Sequence, residues 1–256
     1  MLNRYKITIA YDGTDFCGWQ AQPHDPTISV CMQEVFYKTF GEKISLVGAS
    51  RTDTGVHALG QVVVFSTKLS LSPERLILAW NEHLPKSILI RSIRIVPESF
   101  DVYSNVYQKV YYYHLFLHQP IPFISRYGWY FRFINLVDWN KFSQALSLYI
   151  GTHDFSSFCK IRDCEKNPIR TIDRITLTKL SRWNIMRVTV RGRSFLRFQI
   201  RRMIGYALDV AWRKDLSVNY LKGVLENPNS QQTLLKAEAA GLCLRKVVYK
   251  DDISGG

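Results

Sequence analysis

The feature that most restricts the fold of this chain is an order of hydrophobic patterns that occurs twice along its 256 residues. Each half begins with a run that alternates apolar and polar residues, as a half-buried strand does, and continues with the 3.6-residue repeat of an amphipathic helix. Two further strand-like runs, a second helical repeat and a last strand follow. The order β-α-β-β-α-β in each half predicts an α+β protein of two ferredoxin-like halves with mostly antiparallel sheets.

Capping residues mark the helices of the first half. Thr27 is a suitable N-cap for a helix that runs to about Phe40, and Gly41 is a suitable stop. Ser72 and Pro73 supply a cap and a first-turn proline for a second helix. The strands are predicted in the segments "YKITIAYDG", "KISLVGAS", "QVVVFSTK" and "SILIRSIRIV".

The second half repeats the pattern with one extra short helix around Tyr220. Its other predicted elements are the strand "KVYYYHLFLH", a helix from about Asp138 to Ile150, the strands "RTIDRITLTKL" and "WNIMRVTVRG", a helix from Phe195 to about Arg213, and the strand "GLCLRKVVY". The stretch "PESFDVYSN" interrupts the strand patterns between the halves. We therefore expect domains at residues 1–104 and 105–250, with a frayed tail at 251–256.

The charge of the chain is strongly positive and unevenly distributed. There are 34 Lys and Arg against 21 Asp and Glu, a net charge of +13, and 22 of the basic residues lie in residues 129–256. The stretch from Lys160 to Arg202 contains 13 basic and 3 acidic residues. A clustered positive field attracts a polyanion, and it is the first sign of nucleic-acid binding. Arg193, Arg197, Arg202 and Lys160 are therefore candidate RNA-binding residues, since Arg in particular suits phosphate contacts.

Other classes of protein are disfavoured. No run approaches the roughly 18 apolar residues of a membrane span, and the N-terminus leads directly into a strand pattern without a signal-peptide core. The five cysteines are scattered, and no second pair completes a zinc site with Cys159 and Cys164. We expect reduced thiols in a soluble, cytoplasmic protein.

Asp53 occupies an unusual place, in the string "GASRTDTGVHALGQVVVF", directly ahead of a predicted strand. The residues alone allow three interpretations. Asp53 can be a turn residue, since Asp and Gly are common turn formers. It can be half of an aspartic protease dyad, although the chain has no second such string to share the proton. It can also be a lone catalytic acid.

Six stretches carry distinctive residues: "YDGTDFCGWQAQP" (Tyr11 to Pro23), "RTDTGVHALGQVVVF" (Arg51 to Phe65), "KVYYY" (Lys109 to Tyr113), "GTHDFSSF" (Gly151 to Phe158), "FLRFQIRRMIG" (Phe195 to Gly205) and "AAGLCL" (Ala239 to Leu244). In order and spacing they resemble the tRNA pseudouridine synthase A family over nearly the whole chain. The resemblance implies the pseudouridine synthase fold, in which the two halves form a central RNA-binding cleft. It also implies isomerisation of uridines 38, 39 and 40 in the anticodon arm of tRNA, no cofactor and no metal, and a homodimer.

The resemblance also assigns roles to residues. Asp53 matches the essential aspartate, which acts either as a nucleophile or as a base that removes a ribose proton. Arg201 matches the arginine that pairs with that aspartate, and Arg51 is expected to face the RNA. Tyr111 matches an active-site tyrosine that stacks on the flipped base, and Leu242 matches the apolar wall of the pocket. His57 is expected to hold the loop rather than to act as a base.

This chain departs from the family pattern in two places. Ser50 and Thr54 replace small residues beside the aspartate, and Tyr103 stands where relatives carry an arginine. The resemblance therefore implies the loss of a phosphate or aspartate contact there. An alternative function is a non-catalytic RNA-binding module of tandem ferredoxin-like units. The aromatic signature of RNA-recognition motifs is absent, which disfavours it.

Overall fold

The computed structural model describes residues 2–159, 167–229 and 235–252. Lys160, Cys164 and most of the predicted tail, residues 253–256, lie outside the described residues. The chain divides into two compact units, one made of Met1–Tyr107 with Cys243–Gly256 and the other of Gln108–Leu242. Each unit combines helices with a mostly antiparallel sheet, as the α+β prediction requires.

The first unit contains a sheet in which strand β1 is central. Its elements are β1 (Asn3–Tyr11), α1 (Ile28–Phe40), β2 (Val47–Gly48), β3 (His57–Thr67), α2 (Pro73–His83) and β4 (Ile88–Ile95). β1 pairs antiparallel with β3 and with β4, and β2 pairs antiparallel with β3. The last strand, β9 (Leu242–Tyr249), pairs with β3 in parallel, with His57 opposite Cys243.

The predicted helix boundaries of the first unit are confirmed. The Thr27 side chain accepts a hydrogen bond from the Val30 N–H at the start of α1, and Gly41 ends the helix with a φ of 73°. The Ser72 side chain caps α2, whose first residue is Pro73. These caps satisfy N–H groups that a helix leaves without intrahelical partners.

Aromatic side chains form much of the core of the first unit. Phe36 of α1 and Trp80 of α2 meet edge to face, with ring centroids 4.8 Å apart. The Phe65 ring of β3 stacks on Tyr5 of β1 at 5.4 Å and lies 5.4 Å from Trp80. Since all four side chains are buried, they fix both helices against one face of the sheet.

The sheet of the second unit has the order β5-β8-β7-β6, and the strands that lie side by side in it pair antiparallel. Its elements are β5 (Val106–Phe116), α3 (Trp139–Ser147), β6 (Gly151–Asp154), β7 (Ile169–Leu180), β8 (Ile185–Gly192), α4 (Gln199–Trp212) and α5 (Val218–Glu226). β5 begins in the last residues of the first unit. Short 3₁₀ turns occur at Ser125–Tyr127, Ile134–Leu136, Ser156–Phe158, Ser181–Trp183, Ala239–Gly241 and Lys250–Asp252.

The structure differs from the sequence prediction at several elements. α4 begins at Gln199 instead of Phe195, because Phe198 adopts a left-handed conformation with a φ of 66°, which a helix cannot continue. The four-residue strand β6 was not predicted, since it is too short to show alternation. The last strand was expected in the second half, whereas most of it belongs to the first unit through its pairing with β3.

Two compositional expectations can be compared with the structure. No helix among the described residues is long and apolar enough to cross a membrane. Cys159 is disulfide-bonded, so the expectation of a reduced thiol is wrong for this residue.

Candidate active site

The loop that carries Asp53 lies between β2 and β3 and is held by its neighbours on both sides. The buried Gln61 side chain accepts from the Ser50 N–H at 3.2 Å and donates to the Ser50 carbonyl at 2.6 Å. After Asp53, the Val56 N–H donates to the Asp53 carbonyl at 3.1 Å. Gly55 completes this turn with a φ of 76°, a backbone conformation that other residues rarely adopt.

The segment between β1 and α1 packs directly on this loop. The Trp19 N–H donates to the Thr52 carbonyl at 3.1 Å. Gly18 has a φ of 89°, and a Cβ there would lie 2.6 Å from the Thr52 carbonyl oxygen and 3.1 Å from the Asp53 carbonyl carbon. At Gly13 a Cβ would lie 2.0 Å from the Val56 carbonyl oxygen. Only glycine allows this close approach of two backbones, which explains both glycines of the stretch from Tyr11 to Pro23, here called the first motif.

Side chains of the same segment hold Thr52, the residue before Asp53. The Tyr11 hydroxyl and Thr52 Oγ1 are hydrogen-bonded at 2.8 Å. Tyr11 also stacks on Trp19, with centroids 6.4 Å apart, and a Cβ on Gly48 would lie 2.6 Å from the Trp19 ring. Thr52, Tyr11 and Trp19 are all buried. The loop is therefore anchored immediately before the carboxylate.

His57 contributes to the same anchoring. Its Nδ1 atom lies 3.1 Å from the Gly13 backbone N and 3.2 Å from Asp12 Oδ1. Asp12 Oδ1 also accepts from the Thr14 N–H at 3.0 Å and from the Thr14 hydroxyl at 2.6 Å. This ring nitrogen faces the turn of the first motif, in keeping with the expected structural role of His57.

Asp53 and Arg51 differ in exposure. Asp53 is half-buried, whereas Arg51 is exposed and can reach a ligand in solution. Because its loop is already anchored, a half-buried carboxylate here can attack an electrophilic carbon or accept a proton without the entropic cost of first ordering the loop.

In the second unit, Tyr111 lies in the middle of β5 and is 6% exposed. Its ring meets Phe195 edge to face, with centroids 5.2 Å apart. Leu242 is buried at the start of β9, directly after the Ala239–Gly241 turn. The Tyr111 ring is therefore held by packing within the second unit.

Arg201 lies in the first turn of α4 and is only 8% exposed. Its Nε–H donates to the Ala237 carbonyl at 2.8 Å. Three cations surround the ring of Phe198: the Lys236 ammonium lies 4.5 Å, the Arg197 guanidinium 5.0 Å and the Arg201 guanidinium 5.6 Å from its centroid. Cation–π attraction helps to hold this concentration of charge at the start of the helix.

The predicted RNA-binding residues fall into two groups. Arg193 and Arg197 are exposed. Arg202 instead donates from Nη1 to the Cys159 carbonyl, and burial lowers its pKa from the usual value. Its side chain therefore also ties α4 to the preceding part of the unit, which the charge pattern did not reveal. Lys160 lies outside the described residues.

Several supporting residues were not assigned from the sequence. Tyr11, Trp19 and Thr52 belong to quoted motifs, but only the structure shows that one motif packs on the other. The contacts of Lys236 with the Phe198 ring and of Arg201 with Ala237 gave no local signal, because they join segments far apart in the chain. Among the described residues, no group of three or more His, Cys, Asp or Glu is placed to hold a metal ion.

Comparison with known proteins identifies the family. The family described as tRNA pseudouridine synthase matches residues 7–103 and 145–250. The chain is 32% identical to tRNA pseudouridine synthase A of Brachyspira hyodysenteriae, over 98% of this chain and 100% of the relative. It is 34% identical to the protein of that name from Thermodesulfovibrio yellowstonii (95% and 98%) and 35% identical to that of Thermosipho africanus (97% and 100%). With its α+β architecture and its anchored R-T-D loop, this chain belongs to the tRNA pseudouridine synthase family of isomerases.

Proposed function

We propose that this protein isomerises uridine to pseudouridine at positions 38, 39 and 40 in the anticodon stem-loop of tRNA, with Asp53 as the catalytic carboxylate. The observation that carries the proposal is the packing of the first motif on the Asp53 loop. Gly18, Trp19 and Tyr11 hold Thr52 through the contacts described above. This support holds the backbone before the acid in one geometry, which is what a catalytic carboxylate needs in order to meet its substrate in position.

The reaction is an isomerisation, so the nucleoside gains and loses no atoms overall. One carboxylate is enough to begin it. The bond between ribose C1′ and base N1 breaks, a bond between C1′ and base C5 forms, C5 loses its proton, and N1 gains one. Asp53 can begin this sequence by attacking the nucleoside as a nucleophile or by removing a ribose proton. The target base must first leave the stack, since its glycosidic bond is inaccessible within a helix.

Other residues are proposed to support this step. Arg201 is the cation that pairs with the carboxylate and keeps it ionised. Tyr111 stacks on the flipped base, and its hydroxyl can assist a proton transfer, while Leu242 forms part of the apolar wall. Arg51 faces the RNA.

We propose Arg193, Arg197, Arg202 and Lys160 as phosphate contacts along the tRNA. The exposure of Arg193 and Arg197 supports this role for them. A homodimer that acts in the cytoplasm without a cofactor completes the proposal.

Replacement of Asp53 by Asn tests the function directly. Asp53→Asn is expected to abolish pseudouridine formation while the affinity for tRNA stays within about tenfold, because the change removes a reacting group but almost no phosphate contact. Asp25→Asn is the matched control, since it makes the same change at an exposed loop residue and should keep full activity.

Two results would contradict the proposal. Substantial turnover by Asp53→Asn would remove Asp53 from the chemistry. Wild-type protein that binds tRNA but forms no pseudouridine would favour a non-catalytic RNA-binding module. Pseudouridine mapping in tRNA from cells that lack the protein would identify which uridines it modifies.

A further inference from the structure

The segment before β9, residues 235–241, lies along the start of α4 and is here called the strap. Two hydrogen bonds join Ala237 of the strap to Arg201 of the helix. The Ala237 N–H donates to the Arg201 carbonyl at 3.0 Å, and the Arg201 Nε–H donates to the Ala237 carbonyl at 2.8 Å. Ala237 is fully buried. The direction of the Arg201 guanidinium therefore depends on where the strap lies.

Gly205, one turn further along α4, allows the strap to lie this close. A Cβ at Gly205 would lie 2.2 Å from the Leu235 carbonyl oxygen and 2.9 Å from the Ala237 backbone N. Both neighbours are backbone atoms, which cannot move aside as a flexible side chain can. The glycine that ends the motif "FLRFQIRRMIG" is thus explained by the strap.

Tyr113 of β5 also holds the strap, through Glu238. Its side chain is fully buried on β5, and its hydroxyl donates to the Glu238 carbonyl at 2.8 Å. A Cβ on Gly241 would lie 2.5 Å from the Tyr113 ring, so this glycine lets the strap pass over the ring. Burial raises the pKa of Tyr113 well above its usual value, while the nearby charge of Arg201 opposes that rise. The hydroxyl is therefore protonated and available as a donor at neutral pH.

We propose that Tyr113 is a positioning residue that sets the Arg201 guanidinium through the strap. The carbonyls of Ala237 and Glu238 belong to neighbouring peptide planes, and only the φ and ψ of Glu238, −64° and 149°, separate them. A hydrogen bond that holds one plane therefore limits the movement of the other. Tyr113 holds the Glu238 carbonyl, and the Ala237 carbonyl holds Arg201. This inference rests on the proposed role of Arg201 in catalysis, and it adds a residue that acts on Arg201 without touching the substrate.

Tyr113→Phe tests the inference, because it removes only the hydroxyl. We expect kcat for pseudouridine formation to fall about tenfold or more, since small misplacements of catalytic groups are costly, while KM for tRNA changes less than about twofold. Tyr249→Phe is the matched control, because its buried hydroxyl also donates to a backbone carbonyl, that of Val102, at 2.9 Å. It should lower the stability to a similar extent and leave kcat unchanged.

A double-mutant cycle separates positioning from a general structural effect. Arg201→Lys keeps the positive charge but removes the Nε–H that bonds to Ala237, so adding Tyr113→Phe to Arg201→Lys should lower kcat less than about twofold. An equal loss in both backgrounds, or an unchanged kcat for Tyr113→Phe, would overturn the inference.

Amide hydrogen exchange gives a readout that does not depend on activity. The Ala237 N–H, which bonds to Arg201, should exchange faster in Tyr113→Phe than in the wild type and in Tyr249→Phe. Unchanged exchange at Ala237 would overturn the inference even if the protein showed no synthase activity. Absence of pseudouridine with wild-type enzyme would instead contradict the proposed function, so the two failures are distinguishable.

Discussion

Gly18 shows at the scale of one residue how the backbone supports Asp53. Its φ of 89° is unfavourable for any other residue, and a Cβ would also press on the Thr52 carbonyl oxygen at 2.6 Å. Gly18→Ala is therefore expected to destabilise the protein by more than about 1–2 kcal/mol and to lower the turnover of the folded fraction, because the loop that carries Asp53 must shift. Urea unfolding and single-turnover kinetics measure both effects.

Gly41→Ala is the control for this prediction. Gly41 has a similar φ of 73°, but nothing lies within 4 Å of the position of a Cβ. It should cost about 1–2 kcal/mol of stability through backbone strain alone and leave turnover per folded molecule unchanged. Equal turnover in the two variants would show that the contact of Gly18 with the Asp53 loop is unimportant.

Lys109 predicts a pH dependence of stability. Burial lowers its pKa from 10.5 to about 8. Below pH 8 both folded and unfolded chains carry the proton, and the folded state bears the full cost of burying the charge. Between about pH 8 and 10.5 the unfolded state binds more protons, so this residue's contribution to the free energy of unfolding rises with pH.

Lys109→Met isolates that contribution. The stability of the wild type relative to Lys109→Met should increase from pH 7.5 to pH 10, as measured by urea unfolding at both values. If the difference in free energy of unfolding between the wild type and Lys109→Met does not vary with pH, the lowered pKa of Lys109 is contradicted.

At the scale of elements, the start of α1 links a helix to the Asp53 loop. The Ile28 and Ser29 N–H groups donate to the carbonyls of Gly18 and Trp19 at 3.0 and 3.2 Å, and the Thr27 side chain accepts from the Val30 N–H at 3.4 Å. The first turn of the helix therefore holds the segment that packs on the loop.

Thr27→Ala should lower the free energy of unfolding by about 1 kcal/mol, because the Val30 N–H loses its side-chain partner. Thr27→Ser should stay close to the wild type, since it keeps the hydroxyl. Equal stability of the Ala variant and the wild type in urea unfolding would show that the cap contributes nothing.

At the scale of the whole molecule, the net charge of +13 predicts binding to tRNA that weakens steeply with salt. Arg193→Gln is expected to flatten the slope of log Kd against log salt concentration by about 0.7–0.9, the loss of roughly one phosphate contact, with little change in Tm. Arg202→Gln should lower Tm, because it also removes the hydrogen bond to the Cys159 carbonyl.

Arg182→Gln provides the control for charge alone. Arg182 is exposed in the turn between β7 and β8 and packs on Trp183, so the change removes one positive charge outside the proposed phosphate contacts. If the slope of log Kd against log salt concentration is the same for the Arg193 and Arg182 variants, Arg193 makes no specific phosphate contact. The positive charge then acts only as a general attraction of the surface for tRNA.

The sequence by itself determined the local features. Thr27, Gly41, Ser72 and Pro73 predicted the helix ends of the first unit because caps and stops act within a few residues. The motifs around Asp53 identified the family because their residue types and spacing are specific, and the comparisons confirm it.

Only the tertiary structure decided which distant segments support one another. It placed β9 beside β3, packed Gly18 against Thr52, and joined Arg201 to Ala237 and Tyr113 to Glu238. It also began α4 after Phe198, a residue whose left-handed conformation no local propensity predicts. The pairing of β9, the packing of Gly18 and the two hydrogen bonds depend on contacts between residues far apart in the chain. Hydrophobic periodicity and capping rules report only on neighbours within a few positions.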